Sequence, residues 1–415
     1  MNSVKKINKL IIYVIFSFGL FPIIPDKIKG FQIIIFFCLA VIFLIKEKPK
    51  KLDYKIFLVN SSLYIFYVFS LIYTDDLFRG INILTETRFT ALIFPLIFLI
   101  LSKHKEIYSK EVFKKFKKIF VFSTVIFCVI YFLFLPFKAA EPDPFFHFPS
   151  IFFFRNGLIE IPFIGIHPIY GSIYLGLSII FILKDLIVTK IKPLQIVLLS
   201  IIITTLFLLS SKMTVIALIL IGVFHLFYFH KNTYREIFFL VIAIIFSIGI
   251  ISQIPSVKYR INELFKQETY TEYRRHNSTS IRISILKCGI QLAKNNFLFG
   301  VGIGDVSHKL VDCYKDISYD LVDKRYNSHN QYLSILITTG IFGLICFCYF
   351  LYINLALSFS LIDKTHFYLI IFYLFNFISE NVLERQNGII LFFFLICYIS
   401  HKARLHKVEK DFSSL

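Results

Sequence analysis

Residues 194–229 read LQIVLLSIIITTLFLLS, then Ser211-Lys212, then MTVIALILIGVFHLFYF. Two uncharged runs meet at a single two-residue turn. Each run is long enough to approach the ~30 Å of a bilayer's hydrocarbon core as a helix. Neither alternates polar and apolar over about ten residues, as barrel strands would. In lipid a helix pairs its own backbone polar groups within the segment, so a hairpin of two transmembrane helices is the reading.

The same grammar extends over the chain. Charged and turn-forming residues divide it into candidate spans near 10–25, 31–45, 56–73, 87–102, 119–137, 167–183, 194–210, 214–229, 237–254, 331–352, 367–381 and 387–400. The expected class is an all-α polytopic membrane protein of about twelve transmembrane helices. Composition agrees, with 57% hydrophobic residues, 17% charged and 415 residues in all. A soluble domain carries about 25% charged residues, and one core could not hide this much Phe, Ile and Leu. Spans 87–102 and 387–400 are short, and the first of them carries Arg88. Pro22 and Pro25 end the first span, since proline suits helix ends. The basic start at 1–10 has the flank of a signal peptide, but no small-residue cleavage site follows, so the first span is expected to be retained.

Lys and Arg give the orientation. With both termini cytoplasmic, 25 of the 45 fall on inside segments and eight on short outside loops. The positive-inside rule therefore favours this topology. The remaining twelve lie in one long polar stretch, 255–330, too long to be governed by the rule. The organisation is thus 1–254 with nine spans, a large periplasmic loop 255–330 containing helices, 331–400 with three spans, and a cytoplasmic tail 401–415. A second outer loop, 138–166, is rich in Pro and Phe and suits the bilayer interface. The formal charge of +19 is explained by membrane anchoring, without nucleic acid. Of seven cysteines, only Cys288 and Cys313 lie in the large loop, either as a disulfide or as two unrelated thiols.

Within that loop, 281, 285, 286, 289–290 and 292 follow helical spacing, with Arg282 and Lys294 off the apolar stripe and Ser280 as the N-cap. Phe299–Gly304 reads FGVGIG. Gly300, Gly302 and Gly304 mimic a nucleotide loop, but no βαβ pattern surrounds them, so they read as a tight turn. The loop closes on Ser328-His329-Asn330-Gln331-Tyr332-Leu333 and enters a span containing Gly340-Ile341-Phe342-Gly343.

This order of Arg282, FGVGIG, SHNQYL and G-x-x-G resembles the O-antigen ligase family and its polymerase relatives. His167-Pro168-Ile169-Tyr170-Gly171-Ser172-Ile173-Tyr174 is similar to that family's opening of a span, and Ser211-Lys212 to its turn between two spans. Two departures stand out: the turn carries Lys212 where the family has Arg, and the aromatic expected four residues after Arg282 is Leu286. The resemblance implies an inverting glycosyltransferase in the bacterial inner membrane. It would move a glycan from a polyprenyl diphosphate carrier to an acceptor hydroxyl, on the lipid A core for a ligase or on a second carrier-linked glycan for a polymerase. His329 would be the base and Arg282 would hold the diphosphate with Lys212 and Arg88; no metal and no cofactor is implied. His167, Tyr170, Asn330 and Glu380 would stand behind them. The chemistry suits the residue types: Arg makes bidentate phosphate contacts, and His is the usual base near neutral pH.

Each residue also has a plainer reading. His329 would cap a helix, Arg282 would be an interfacial anchor, and His167 would be structural. Arg88 would pair locally, Asp75-Asp76 would be a solvated tip, and Glu380, Glu384 and Arg385 would be an ion-paired helix end. A transporter, the reading from a different class, would show an inverted repeat and polar residues near the midplane, and neither is evident.

Overall fold

A computed structural model describes residues 2–47, 52–139, 151–188, 193–229, 267, 273–274, 277–359, 361 and 364–413. Every regular element among them is helical. The first seven helices are α1 (Asn2–Phe18), α2 (Asp26–Glu47), α3 (Tyr54–Phe69), α4 (Leu77–Ile83), α5 (Thr90–Ile100), α6 (Lys110–Ala139) and α7 (Ile151–Ile159). There follow α8 (Pro168–Val188), α9 (Pro193–Leu209), α10 (Lys212–Phe229), α11 (Ser278–Asn295), α12 (Val306–Lys315) and α13 (Tyr319–Lys324). The chain ends in α14 (Gln331–Phe359), α15 (Thr365–Ser379) and α16 (Gln386–Ser413).

Five helices are long and apolar enough to cross a membrane: Asp26–Glu47, Tyr54–Ile72, Lys110–Lys138, Gln331–Phe359 and Gln386–Leu405. A sixth forms if Leu77–Arg88 and Thr90–Ile100, bent by 46°, count as one span. The shorter apolar helices Pro168–Leu183, Pro193–Leu209, Lys212–His225 and Thr365–Ser379 fall on other expected spans. The weak span at 387–400 belongs to the long helix α16, and the one at 87–102 is the bent pair. The expected span 237–254 lies outside the described residues, as do residues 140–150 of the second loop and most of 255–276.

Three helices share a common depth. The Asn60 side chain donates to Ser400 Oγ at 3.1 Å and accepts from Asn354 Nδ2 at 3.0 Å, all three groups being buried. From this knot, Ile72 lies about 18 Å up α3 and its 3-10 extension, Gly340 about 21 Å up α14, and Gln386 about 21 Å up α16. Segments 54–72, 340–359 and 386–405 are each roughly 30 Å long, matching the hydrocarbon core.

The tenth span, expected at 331–352, falls on α14, but that helix is not continuous. Helix α14 breaks at Gly340, whose φ of 67° and ψ of −166° interrupt it. The break divides the apolar stretch Gln331–Phe359 into two helical pieces, 331–339 and 341–359. Loop 297–302 pairs with the backbone at the break. Val301 N donates to Ile337 O at 2.8 Å, Gly302 N to Thr338 O at 3.1 Å, and Ile341 N to Phe297 O at 2.8 Å. A helix interruption at membrane depth is tolerated when its freed groups are paired in this way. Gly340 is required here, because a Cβ would sit 2.1 Å from Leu298 O.

Helices α11 to α13 make a small second core on the same face, around Ile285, Leu310, Tyr314, Leu321 and Ile337. The N-cap of α11 is Asn277, which accepts from Thr279 N at 2.9 Å and Ser280 N at 3.0 Å, so Ser280 is not the cap. Ser280 sits in the first turn, and its Oγ accepts from Arg274 N at 2.9 Å. Cys288 and Cys313 form a disulfide that ties α11 to α12. Closing a loop of that length contributes about 3 kcal/mol in the chain-entropy account. The variant Cys288→Ser/Cys313→Ser should therefore lower the temperature at which 277–326 become protease-sensitive, with the membrane helices unaffected. Limited proteolysis against temperature checks this.

Candidate functional site

Two short segments meet at the top of the bundle: turn 327–330, which leads into α14, and loop 380–385, which joins α15 to α16. Side chains of the turn shape its backbone. Asn327 Oδ1 accepts from His329 N at 3.2 Å, and Asn330 Oδ1 accepts from Leu333 N at 2.9 Å, capping α14. His329 adopts a left-handed φ of 45°, which is uncommon outside glycine and costs energy unless its neighbours fix it. Asn330 thus acts on the backbone of the helix start.

Glu384 is the hub that holds the segments together. Its carboxylate accepts from Asn381 Nδ2 at 2.7 Å and Asn327 Nδ2 at 3.1 Å, and from Ser334 Oγ. Gln331 Oε1 accepts from Leu383 N at 2.8 Å. Arg88, 8% exposed, donates to Leu383 O at 2.6 Å and stands 4.0 Å from Glu384. Its guanidinium also lies over the Tyr67 ring. Arg88 therefore pins loop 380–385 from beneath.

The pinned loop presents Glu380 to His329. Glu380 Oε2 and His329 Nδ1 are 3.3 Å apart, with the carboxylate side chain 6% exposed and the imidazole 23%. Burial alone would raise the Glu380 carboxyl, but the His329 hydrogen bond and the charges of His329, His167 and Arg282 outweigh it and hold it below its ordinary value. Glu380 is thus a buried carboxylate acting on His329 Nδ1, and the other ring nitrogen has no hydrogen-bond partner among the described residues.

His167, just before α8, is half-buried, and its pKa falls to about 4. Desolvation is the main cause; Arg155, Arg385 and His329 push the same way, while Glu380 opposes. The sign follows from linkage: with the folded value below the unfolded one, the contribution to stability is full above about 6.5 and is lost as pH falls toward about 4. Melting temperature should accordingly drop between pH 7 and pH 5 in the native chain and drop less in His167→Asn. Circular dichroism in detergent checks it.

Around this pair the structure gathers more cations than were expected. Arg282 lies on α11, exposed, and Arg385 is exposed in the loop; neither side chain makes a hydrogen bond or ion pair among the described residues. Arg155 donates to Leu209 O at 2.6 Å, at the end of α9. The turn that follows holds Ser210 at φ 53° and delivers the exposed Lys212 to the start of α10. Tyr170 feels the charges of Glu380, Arg385, Glu384 and Arg88, and its buried hydroxyl has no partner among the described residues. Thus His329, Glu380, Arg282, His167 and Tyr170 share one electrostatic neighbourhood, and Arg88 supports it from below.

The expected ion-paired helix end at Glu380, Glu384 and Arg385 is therefore not what forms. The two carboxylates turn to His329 and to the Arg88 network, which leaves Arg385 open. Arg155 escaped the sequence reading, although a lone cation in the Phe-rich segment 151–154 was a visible signal. Asp75 and Asp76 are also less passive than a solvated tip. Asp76 caps α4, accepting from Arg79 N at 3.0 Å, and Asp75 pairs with Lys309 at 3.6 Å.

The whole defines a helical membrane protein whose top face holds a histidine–carboxylate pair beside open arginines. Residues 197–348 match the model of the O-antigen ligase family. That segment contains Lys212, Arg282, the FGVGIG loop, His329 and the Gly340 break, the residues on which the resemblance was drawn. No curated protein matches the chain.

Proposed function

We propose that this protein is an O-antigen ligase-type membrane glycosyltransferase, moving a glycan from a polyprenyl diphosphate carrier to an acceptor hydroxyl at the periplasmic face of the inner membrane. The observation that carries the reading is the His329–Glu380 pair, set beside Arg282 and Arg385. Glu380 accepts a hydrogen bond from His329 Nδ1–H, which leaves Nε2 unprotonated and able to accept the acceptor's proton. As that proton leaves, the hydroxyl oxygen bonds to the anomeric carbon and the carbon–oxygen bond to the diphosphate breaks, with inversion. The charge that builds on the leaving diphosphate falls to Arg282, Arg385 and Lys212. Arg88, taken up with Leu383 and Glu384, positions the loop.

The topology reading is twelve spans with both termini cytoplasmic. The Lys/Arg asymmetry supports it, and so does the Cys288–Cys313 bond, since disulfides persist in oxidising compartments such as the periplasm. In that topology the site lies where the carrier presents its first sugar.

A ligase and a repeat-unit polymerase would use the same base and cations. A chromosomal deletion separates them: full-length glycan left on its carrier marks the ligase, and single repeats mark the polymerase. We expect the ligase pattern on a surface-glycan gel, restored by the native gene and not by His329→Gln. A normal ladder on the lipid A core in the deletion strain would remove the proposal.

A further inference from the structure

Away from His329, the same face opens into a cavity of about 470 Å³ bordered by Tyr73, Asp75, Asn296, Phe299 and Lys309. We infer that this cavity is a carbohydrate subsite, holding a sugar ring of the donor or acceptor glycan at a distance from the reacting bond. The inference rests on the glycosyltransferase reading above and adds a second place where the glycan is held.

The walls are fixed before any ligand arrives. Asp305 accepts from Thr74 Oγ1 at 2.9 Å, Asp75 N at 2.6 Å and Asp76 N at 3.0 Å, clipping segment 74–76 to the glycine loop. Gly304 N donates to Thr74 Oγ1 at 3.1 Å, and Ile303 N to Ser70 Oγ at 3.2 Å. The glycines serve this closure: a Cβ on Gly302 would meet Thr74 at 2.6 Å, and one on Gly304 would meet Asp76 O at 2.1 Å. The FGVGIG motif thus builds one wall of the cavity, and with the Gly340 break it sets where Phe299 stands.

The lining chemistry matches a hydroxyl-rich ring. Tyr73 and Phe299 have ring centroids 6.3 Å apart and are 36% and 61% exposed, giving open aromatic faces against which sugar C–H groups pack. Asp75 and Lys309, 3.6 Å apart and 85% and 45% exposed, form a loose pair able to trade its contact for hydroxyl hydrogen bonds. Their charges cancel, which favours a neutral ligand over an anion. Asn296 adds an amide whose Nδ2 donates to Leu292 O at 3.1 Å, leaving the carbonyl oxygen as an acceptor. Apolar groups with a few placed polar ones are the make-up of a small-molecule site. A lipid-tail niche would have no use for the carboxylate, ammonium and amide. The loop reaches α14 at Ile337, about 9 Å along the helix from its start just after His329, so a glycan of several sugars could occupy both places.

The chain has no Trp, so Phe299→Trp supplies a single reporter in the full-length protein. The experiment uses lipid nanodiscs and carries His329→Gln, so that binding is read without transfer. Two probes are titrated: the repeat-unit oligosaccharide released from its carrier, and the core oligosaccharide freed of lipid A. We expect a saturable change in Trp emission with one of them, which identifies donor or acceptor, and about tenfold weaker binding in Asp75→Ala. Saturation-transfer NMR on the chain with Phe299 intact should show the same sugar in contact, whatever Phe299→Trp does to folding. No saturable response to either sugar at ~10 mM by both methods would overturn the subsite. So would an emission that follows only a change of lipid composition, which would mark a lipid niche. If transfer by the native chain proceeds while both sugars fail to bind here, the subsite alone fails. If a sugar binds while the native chain transfers nothing, the glycosyltransferase reading fails and the subsite stands.

Discussion

His329→Gln should lower glycan transfer by about 10²- to 10⁴-fold, the usual cost of removing a positioned base. Glutamine approximates the polar reach of imidazole but cannot take up a proton. Carrier binding should persist, because Arg282 and Arg385 are untouched. Glu380→Gln should fall between the two. It keeps a polar partner for Nδ1 but removes the charge that stabilises the imidazolium as it forms. A protonated His329 cannot accept the hydroxyl's proton, so kcat should fall on acidification, and that fall should be absent from the residual activity of His329→Gln. Purified protein with carrier-linked glycan and acceptor decides the matter. Near-normal turnover by His329→Gln would remove His329 from the mechanism.

Much of the fold was legible because lipid enforces a simple rule: apolar runs of sufficient length become helices. Eleven of the twelve expected spans fall on described helices, and the twelfth, 237–254, lies outside the described residues. What hydropathy does not encode is a break inside an apolar run. Gly340 stands in a stretch that reads as continuous helix, and only loop 297–302, forty residues upstream, shows why the helix parts there. The N-cap of α11 was misplaced by three residues for a similar reason. Asn277 and Ser280 are both good caps locally, and tertiary contact with Arg274 gives Ser280 another task.

The site divides along the same line. His329 and Arg282 were visible as motif residues, and Glu380 either as a support behind them or as part of an ion-paired helix end. The pairing of Glu380 with His329 could not be read, because it joins residues 51 apart through a loop whose course depends on Glu384 and Arg88. Arg88 shows what residue type alone leaves unread. A buried cation near a proposed phosphate site suggests a ligand contact, and the structure adds a second task, a hydrogen bond to Leu383 O with Glu384 4.0 Å away.

That difference among the arginines supplies the second large effect. Arg282→Ala should reduce transfer by about 10²- to 10³-fold with abundance and melting temperature unchanged, as expected for losing one fixed partner of a developing anion. Arg282 is exposed and carries no structural hydrogen bond among the described residues, so its removal costs the fold little. Arg282→Lys should recover only part of the rate, because a point charge cannot replace a planar fork that grips two phosphate oxygens. Arg385→Ala should behave like Arg282→Ala in kind, and Lys212→Arg should be tolerated. Arg88→Ala should behave differently, lowering abundance and melting temperature together with activity, since it leaves Glu384 buried beside no cation and frees loop 380–385. Activity should survive EDTA, the arginines supplying the positive charge at the diphosphate. Carrier binding and turnover measured on one preparation of each variant separate these outcomes. Full activity in Arg282→Ala would place the diphosphate elsewhere, and activity lost on chelation and restored by Mg²⁺ would give that charge to a metal.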